Sequence, residues 1–222
     1  MTTPRGKPKG YFKHILAMDS ETTGLCFNVD HPTYNPDTGE RHQAISWGLV
    51  VIDTDTLEAV DELYVEVKWN DESKKQRELD PKFGTFAEKI HGLTYEYLEE
   101  HGLTEEEAIV KIYEMVGKYW GPTSCISTLG HNVHLFDLDF FKDMFRRNGV
   151  PLKFGNRHVC TNGIGWAALE TYNSDQLFEL IGFNARGDHN ALDDIKMTVE
   201  AARVVRKAAA PIRKILQDMV NS

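Results

Sequence analysis

AISWGLVVIDTDTLEAVDELYVEVKW, Ala44 to Trp69, reads as two strands and the connection between them. Ala44 to Asp53 and Leu63 to Trp69 carry the β-branched and aromatic enrichment of strands, and DTDTLEAVDE between them is short and polar. Upstream, His14 to Asp19 (HILAMD) is another apolar run, ending in a carboxylate, so an antiparallel meander of three strands is expected. The segment between the first two strands, residues 27 to 43, holds the turn-forming core NPDTGE and reads as a long loop or a small hairpin. Downstream, helical signals take over. Thr104 with Glu107 forms a capping box ahead of Ala108, Ile109, Ile112, Met115, Val116, Tyr119 and Trp120 on one helical face, and Gly121-Pro122 stops the helix. Cys125 to Gly130 reads as a buried strand, Leu138 to Asn148 as a helix ending at Gly149, and Ala191 to Ala210 as a long helix interrupted by Pro211. A meander followed by alternating strands and helices specifies an α/β fold: a mixed central sheet flanked by helices.

The chain has 222 residues, 41% of them hydrophobic, which suits one domain with a real core. Residues 1 to 12 are expected to be a flexible tail and 13 to 222 a single domain. The polar, basic start lacks a signal-peptide h-region and no apolar run is long enough for a bilayer, so a cytoplasmic location without membrane attachment is expected. Cys26, Cys125 and Cys160 are odd in number and widely spaced, which argues against a disulfide framework or a CxxC zinc site. With a formal net charge of -9, the molecule as a whole repels nucleic acid, so such a ligand must be held locally by cations, backbone amides and small basic patches. Lys74, Lys75 and Arg77, Arg146 and Arg147, and the basic residues from Arg203 to Lys214 are candidates for such patches, or solvated faces.

Three short patterns carry chemistry. In LAMDSETTGL, Asp19 and Glu21 stand at i and i+2 at the end of a strand and project to the same side, where they can share a metal site or form a solvated acidic pair. In GHNVHLFDLDFF, Asp137 opens a helix as a metal ligand or as an N-cap. In GDHNALDDI, His189 and Asp194 are five positions apart, about 140° on one helix, so they converge only if His189 lies in the preceding loop. A loop histidine beside acids that favour a helix N-terminus is the plainer alternative. Three Asp and one Glu make a hard oxygen site that selects Mg²⁺ or Mn²⁺ over Zn²⁺, and four converging carboxylates need cations to offset their repulsion. With a histidine to take a proton, the set suits phosphodiester hydrolysis on two divalent cations.

DSETTGL, HNVHLFD and HNALDD, in this order and spacing, resemble the three motifs of the DEDDh 3′-to-5′ exonucleases, and KIHGLT (Lys89 to Thr94) resembles a segment these enzymes place near the substrate end. The resemblance covers roughly Ile15 to Thr198. It implies a ribonuclease H-like fold, with Asp19, Glu21, Asp137 and Asp194 as ligands for two Mg²⁺ (Mn²⁺ substituting) and His189 as general base. It further implies a terminal-nucleotide pocket lined by Thr22, Leu25, His91 and Asn132, and a single-stranded DNA or RNA 3′ end as partner, with DNA favoured. Two departures stand out. The 27–43 loop is longer than in compact relatives, and Cys160-Thr161 stands where relatives often carry Asp-Thr, a change expected to affect packing alone. An RNA-trimming or oligoribonuclease-like enzyme, or a polymerase-associated proofreading or binding subunit, remains an alternative. The final helix, Ala201 to Val220, leaves a homodimer open.

Overall fold

A computed structural model describes residues 12–25, 41–183 and 189–221. Most of the expected N-terminal tail and of the 27–43 loop lies outside the described residues.

The meander forms as the sequence specifies. Strands β1 (His14–Thr22) and β2 (Ala44–Asp53) pair antiparallel, with Asp19 opposite Gly48. Strand β3 (Ala59–Glu66) starts earlier and stops sooner than its composition indicates. Past Glu66 one bond to the β2 side persists, Val67 N–H to Ile45 O, while Leu103 pairs along the other edge, with Leu103 N–H donating to Glu66 O and Lys68 N–H to Leu103 O. Beyond it come three short helices, α1 (Asp71–Leu79), α2 (Thr85–His91) and α3 (Tyr95–His101), that the sequence reading does not anticipate. Helix α4 (Glu105–Gly117) carries the capping box, with both reciprocal bonds formed. Strand β4 (Thr128–Gly130) and the two-residue β5 (Val159–Cys160) add in parallel, giving the order β3-β2-β1-β4-β5.

Alternation along β1 sorts the core into two layers. Leu16 and Met18 face one side, where α4 and α5 (Asp137–Arg147) bury Ile112, Phe141 and Phe145 around Trp47. Ile15 and Ala17 face the other, where α8 (Ala191–Ala208) packs Ile195, Val199 and Ala202. Two further helices, α6 (Thr161–Leu169) and α7 (Ser174–Leu180), precede α8. The long C-terminal helix breaks at Ala209, and α9 (Ala210–Asn221) begins anew with Pro211 in its first turn, where the missing N–H costs nothing. A satellite cluster of Ile45, Trp69, Phe83 and Leu98 seats α2 and α3 against the end of the sheet, beside Glu21 and Thr22.

Candidate active site

The same alternation decides where the acids go. Asp19 and Glu21 continue the series of Ile15 and Ala17 and face α8; Ser20 faces α5. Helix α8 opens with Asn190, whose side chain accepts the N–H groups of Leu192 and Asp193, so His189 stands before the helix and Asp194 in its first turn. This is the arrangement that lets the two converge. His189 Nδ1 lies 3.3 Å from an Asp194 carboxylate oxygen, and ligand atoms of Glu21, His189 and Asp194 all lie within 4.8 Å of one another. Asp194 is buried and Asp193, its neighbour, is exposed.

The seat of α8 depends on Gly48. A Cβ there would come within 2.2 Å of the Ala191 backbone carbonyl and 2.4 Å of Leu192 N. The start of α8 therefore rests on bare backbone, one strand over from Asp19.

Asp137 arrives from the opposite layer. It does not cap α5: the cap position is Phe136, with no side-chain cap bond. Its Oδ1 instead accepts a 2.8 Å hydrogen bond from Ser20 Oγ, which fixes it beside the residue between Asp19 and Glu21. Burial pushes the Asp137 carboxyl up to about 7, opposed by the Ser20 hydroxyl and nearby backbone N–H groups. An acid with its folded value above the unfolded one, near 3.9, holds its proton more tightly when folded, so its contribution to stability is lost as pH rises from about 4 through about 7. EDTA-treated protein is accordingly expected to gain thermal stability at pH 8 from Asp137→Asn, on the order of a few kcal/mol, and little at pH 4. Melting curves at the two pH values check this, and equal shifts at both would contradict it.

A groove of about 460 Å³ begins at Ser20 and Glu21. Thr22, Leu25 and His91 line it, while Asn132 stands outside that lining. Leu25 and Phe86 form exposed apolar walls, with Phe83, Ile90 and Phe136 between them. Thr22 Oγ1 donates to Gly24 O at 2.7 Å and shapes the turn that presents Leu25. His91 Nδ1 accepts the Leu93 N–H at 3.0 Å, and burial lowers the imidazole to about 4, so it stays neutral with its hydrogen on Nε2. Asn132 adopts a left-handed conformation, φ 62°, and donates its N–H to Cys160 Sγ at 3.2 Å. That sulfur does more than pack, beyond the effect expected of it: it accepts a hydrogen bond at the loop that carries Asn132. Phe83, Phe86 and His42 belong to this site too, and the sequence reading missed all three.

A family model described as Exonuclease (RNase_T) matches residues 16–202, most of the chain. The chain belongs to the exonuclease family. Asp19, Glu21, Asp137, His189 and Asp194 all lie within the matched residues. No curated protein matches the enzyme by sequence. Among solved structures, the nuclease domain of 3'hExo, a DEDDh family member bound to rAMP, is similar over 90% of this chain and 95% of that one, at 17% identity and TM-score 0.64. A 3'-exonuclease recognising a histone mRNA stem-loop is similar over 90% of this chain and 84% of that one, at 18% identity and TM-score 0.62. E. coli exonuclease I in complex with a dT13 oligonucleotide is similar over 92% of this chain but only 43% of that one, at 18% identity and TM-score 0.67. These likenesses show a shared ribonuclease H-like fold. No helix among the described residues is long and apolar enough to cross a membrane.

Proposed function

We propose that this exonuclease removes nucleoside 5′-monophosphates from the 3′ end of single-stranded nucleic acid, with DNA preferred to RNA. The observation that carries the reading is the joining of an apolar-walled groove, within the size range of small-ligand sites, to the cluster of Glu21, His189 and Asp194. Asp19, Glu21, Asp137 and Asp194 would hold divalent cations, two Mg²⁺ in this reading. The chemistry of the donor set fits: carboxylate oxygens predominate, and Asp137 is a buried acid that a nearby cation would allow to ionise. When bound, such cations lower the pKa of water and neutralise charge on the phosphate.

The remaining work falls to the chain's own residues. His189 accepts the proton of the attacking water, with its Nδ1 set against Asp194 and its Nε2 left for the proton. Neutral His91 and the Thr22 turn orient the terminal sugar and phosphate, and Leu25 and Phe86 flank the base.

The test supplies purified protein with matched single-stranded DNA, duplex DNA and RNA labelled at the 5′ end, with Mg²⁺ and then with EDTA. A ladder shrinking from the 3′ side, fastest on single-stranded DNA and abolished by EDTA, is expected. Faster loss of the RNA would assign the enzyme to RNA trimming, and no loss of any strand would leave a binding subunit.

A further inference from the structure

Beside the catalytic groove, and sharing His42 with it, a second cleft of about 360 Å³ runs between the start of α1 and the exposed face of α5. We propose that this cleft is the track for the strand behind the terminal nucleotide, binding the sugar–phosphate backbone of the next few nucleotides and so selecting chains over dinucleotides. The inference rests on the nuclease reading above and deepens it.

Three observations carry it. First, the two clefts are continuous along one element: Phe136 lines the catalytic groove, Asp137 is the acid at Ser20, and Asp139 begins the second cleft. Helix α5 then runs away from the site for eleven residues, about 16 Å, room for roughly four stacked nucleotides at ~3.4 Å each. Its buried face is Leu138, Phe141 and Phe145, which leaves Lys142 and Arg146, at i and i+4, on the open side.

Second, the cations here are available. Lys74 and Arg77 are drawn to Glu99 and Glu88, and Arg203 and Arg206 to backbone carbonyls at Leu57 and Thr54. In the cleft, Arg147 is clamped by both Glu105 oxygens, at 2.7 and 2.8 Å, and by Asp143, so it holds the wall in place. Arg146 shares the same Asp143 yet its side chain is 75% exposed, and the Arg41–Glu72 pair on the other wall, at 3.5 Å, is half-exposed and weak. Lys142 has no carboxylate partner among the described residues; its ammonium lies 5.8 Å from the Phe154 ring centroid, a contact that an exposed lysine can exchange for a phosphate. The cleft is lined by Arg41, Lys142, Arg146 and Arg147 against Glu72, Asp139 and Asp143, a slight positive surplus in a molecule with a formal charge of -9, with Lys142 and Arg146 the exposed cations that a phosphate can reach.

Third, the junction is built. Gln43 is buried; its side-chain oxygen accepts the Asn70 N–H at 2.6 Å and its amide donates to Lys68 O, which fixes the α1 wall to the start of β2. His42 stacks flat on Phe83, centroids 4.6 Å apart, and burial lowers the ring to about 4, so it forms a neutral, planar step between the two clefts.

The experiment is a length profile: kcat and KM for oligodeoxynucleotides from two to twenty nucleotides, for the wild type and for Lys142→Glu/Arg146→Glu, at two salt concentrations. For the wild type, KM is expected to fall over the first few added nucleotides and then level. In the double variant that fall is expected to flatten, leaving KM on the 20-mer raised about tenfold or more with kcat little changed, and the salt slope reduced by about 1.4 for two lost contacts to a single strand. Lys142→Arg should retain the wild-type profile. An unaltered profile in the double variant overturns the inference, as does a loss of kcat equal at every length. A wild type that degrades no strand overturns the underlying nuclease reading instead.

Discussion

Asp194→Asn is expected to abolish turnover, by about 10³-fold or more, while the protein stays folded. Two losses combine in one atom change. A buried carboxylate leaves the cluster with Glu21, and His189 Nδ1 loses the partner 3.3 Å away that orients the ring. Losing a positioned acid–base group costs 10²- to 10⁴-fold, and losing a preorganised electrostatic contact about 10²- to 10³-fold. The fold is spared because the substitution keeps the shape and removes a charge from a crowded acidic site. Asp193→Asn is the control: exposed, one residue away, on the same helix turn, it should change the rate by no more than about twofold, the scale of a neutral surface substitution. Initial rates of 3′-end release with saturating Mg²⁺, alongside circular dichroism of each variant, decide the matter. Retained activity in Asp194→Asn, or an equal loss in Asp193→Asn, would sink the site assignment.

The candidate side chains stood out in the chain because they sit where one period pattern gives way to another. Asp19 and Glu21 end an apolar strand, Asp137 opens an amphipathic helix, and Asn190 caps a helix whose first turn holds Asp194. The strands of the meander and helix α4 were legible for the same reason: dense β-branched runs, and a capping box before a helical stripe. What the sequence hid was whatever depends on a distant partner. Helix α1, DESKKQREL, has no apolar stripe; it is held by the Asn70 cap, by buried Ser73 and by ion pairs to α2 and α3. The end of β3 is joined on its outer edge by Leu103, more than thirty residues on. The cleft exists because Gln43 reaches Asn70, and nothing local to either residue announces that contact. Asp137 reads in the sequence as a plausible N-cap, and only the folded chain shows it turned to Ser20 instead.

Gly48 is the sharpest case, and it yields the second large effect. Nothing in ISWGLV marks the glycine as part of a catalytic site, since its neighbours are ordinary core residues. Yet any side chain at this position strikes backbone, 2.2 Å from the Ala191 carbonyl, and backbone at the start of a helix cannot rotate out of the way. Gly48→Ala must therefore lift the first turn of α8 off the sheet, carrying Asp194 and the adjoining His189 away from Glu21. A misplacement of about 1 Å in a reacting constellation costs on the order of 10²-fold in rate, and overpacking costs about 1–3 kcal/mol in stability. The expected result is a hundredfold lower kcat with a protein that still folds, together with a rise in the divalent cation concentration needed for half-maximal activity. Val199→Ala, further along α8 in the same core layer, should cost comparable stability through a cavity without moving the helix start. If Val199→Ala lowered kcat as far, or if Gly48→Ala left both rate and cation requirement unchanged, the glycine would be a packing residue only. A split between the two variants identifies the close approach of α8 to β2 as what holds His189 and Asp194 against Glu21.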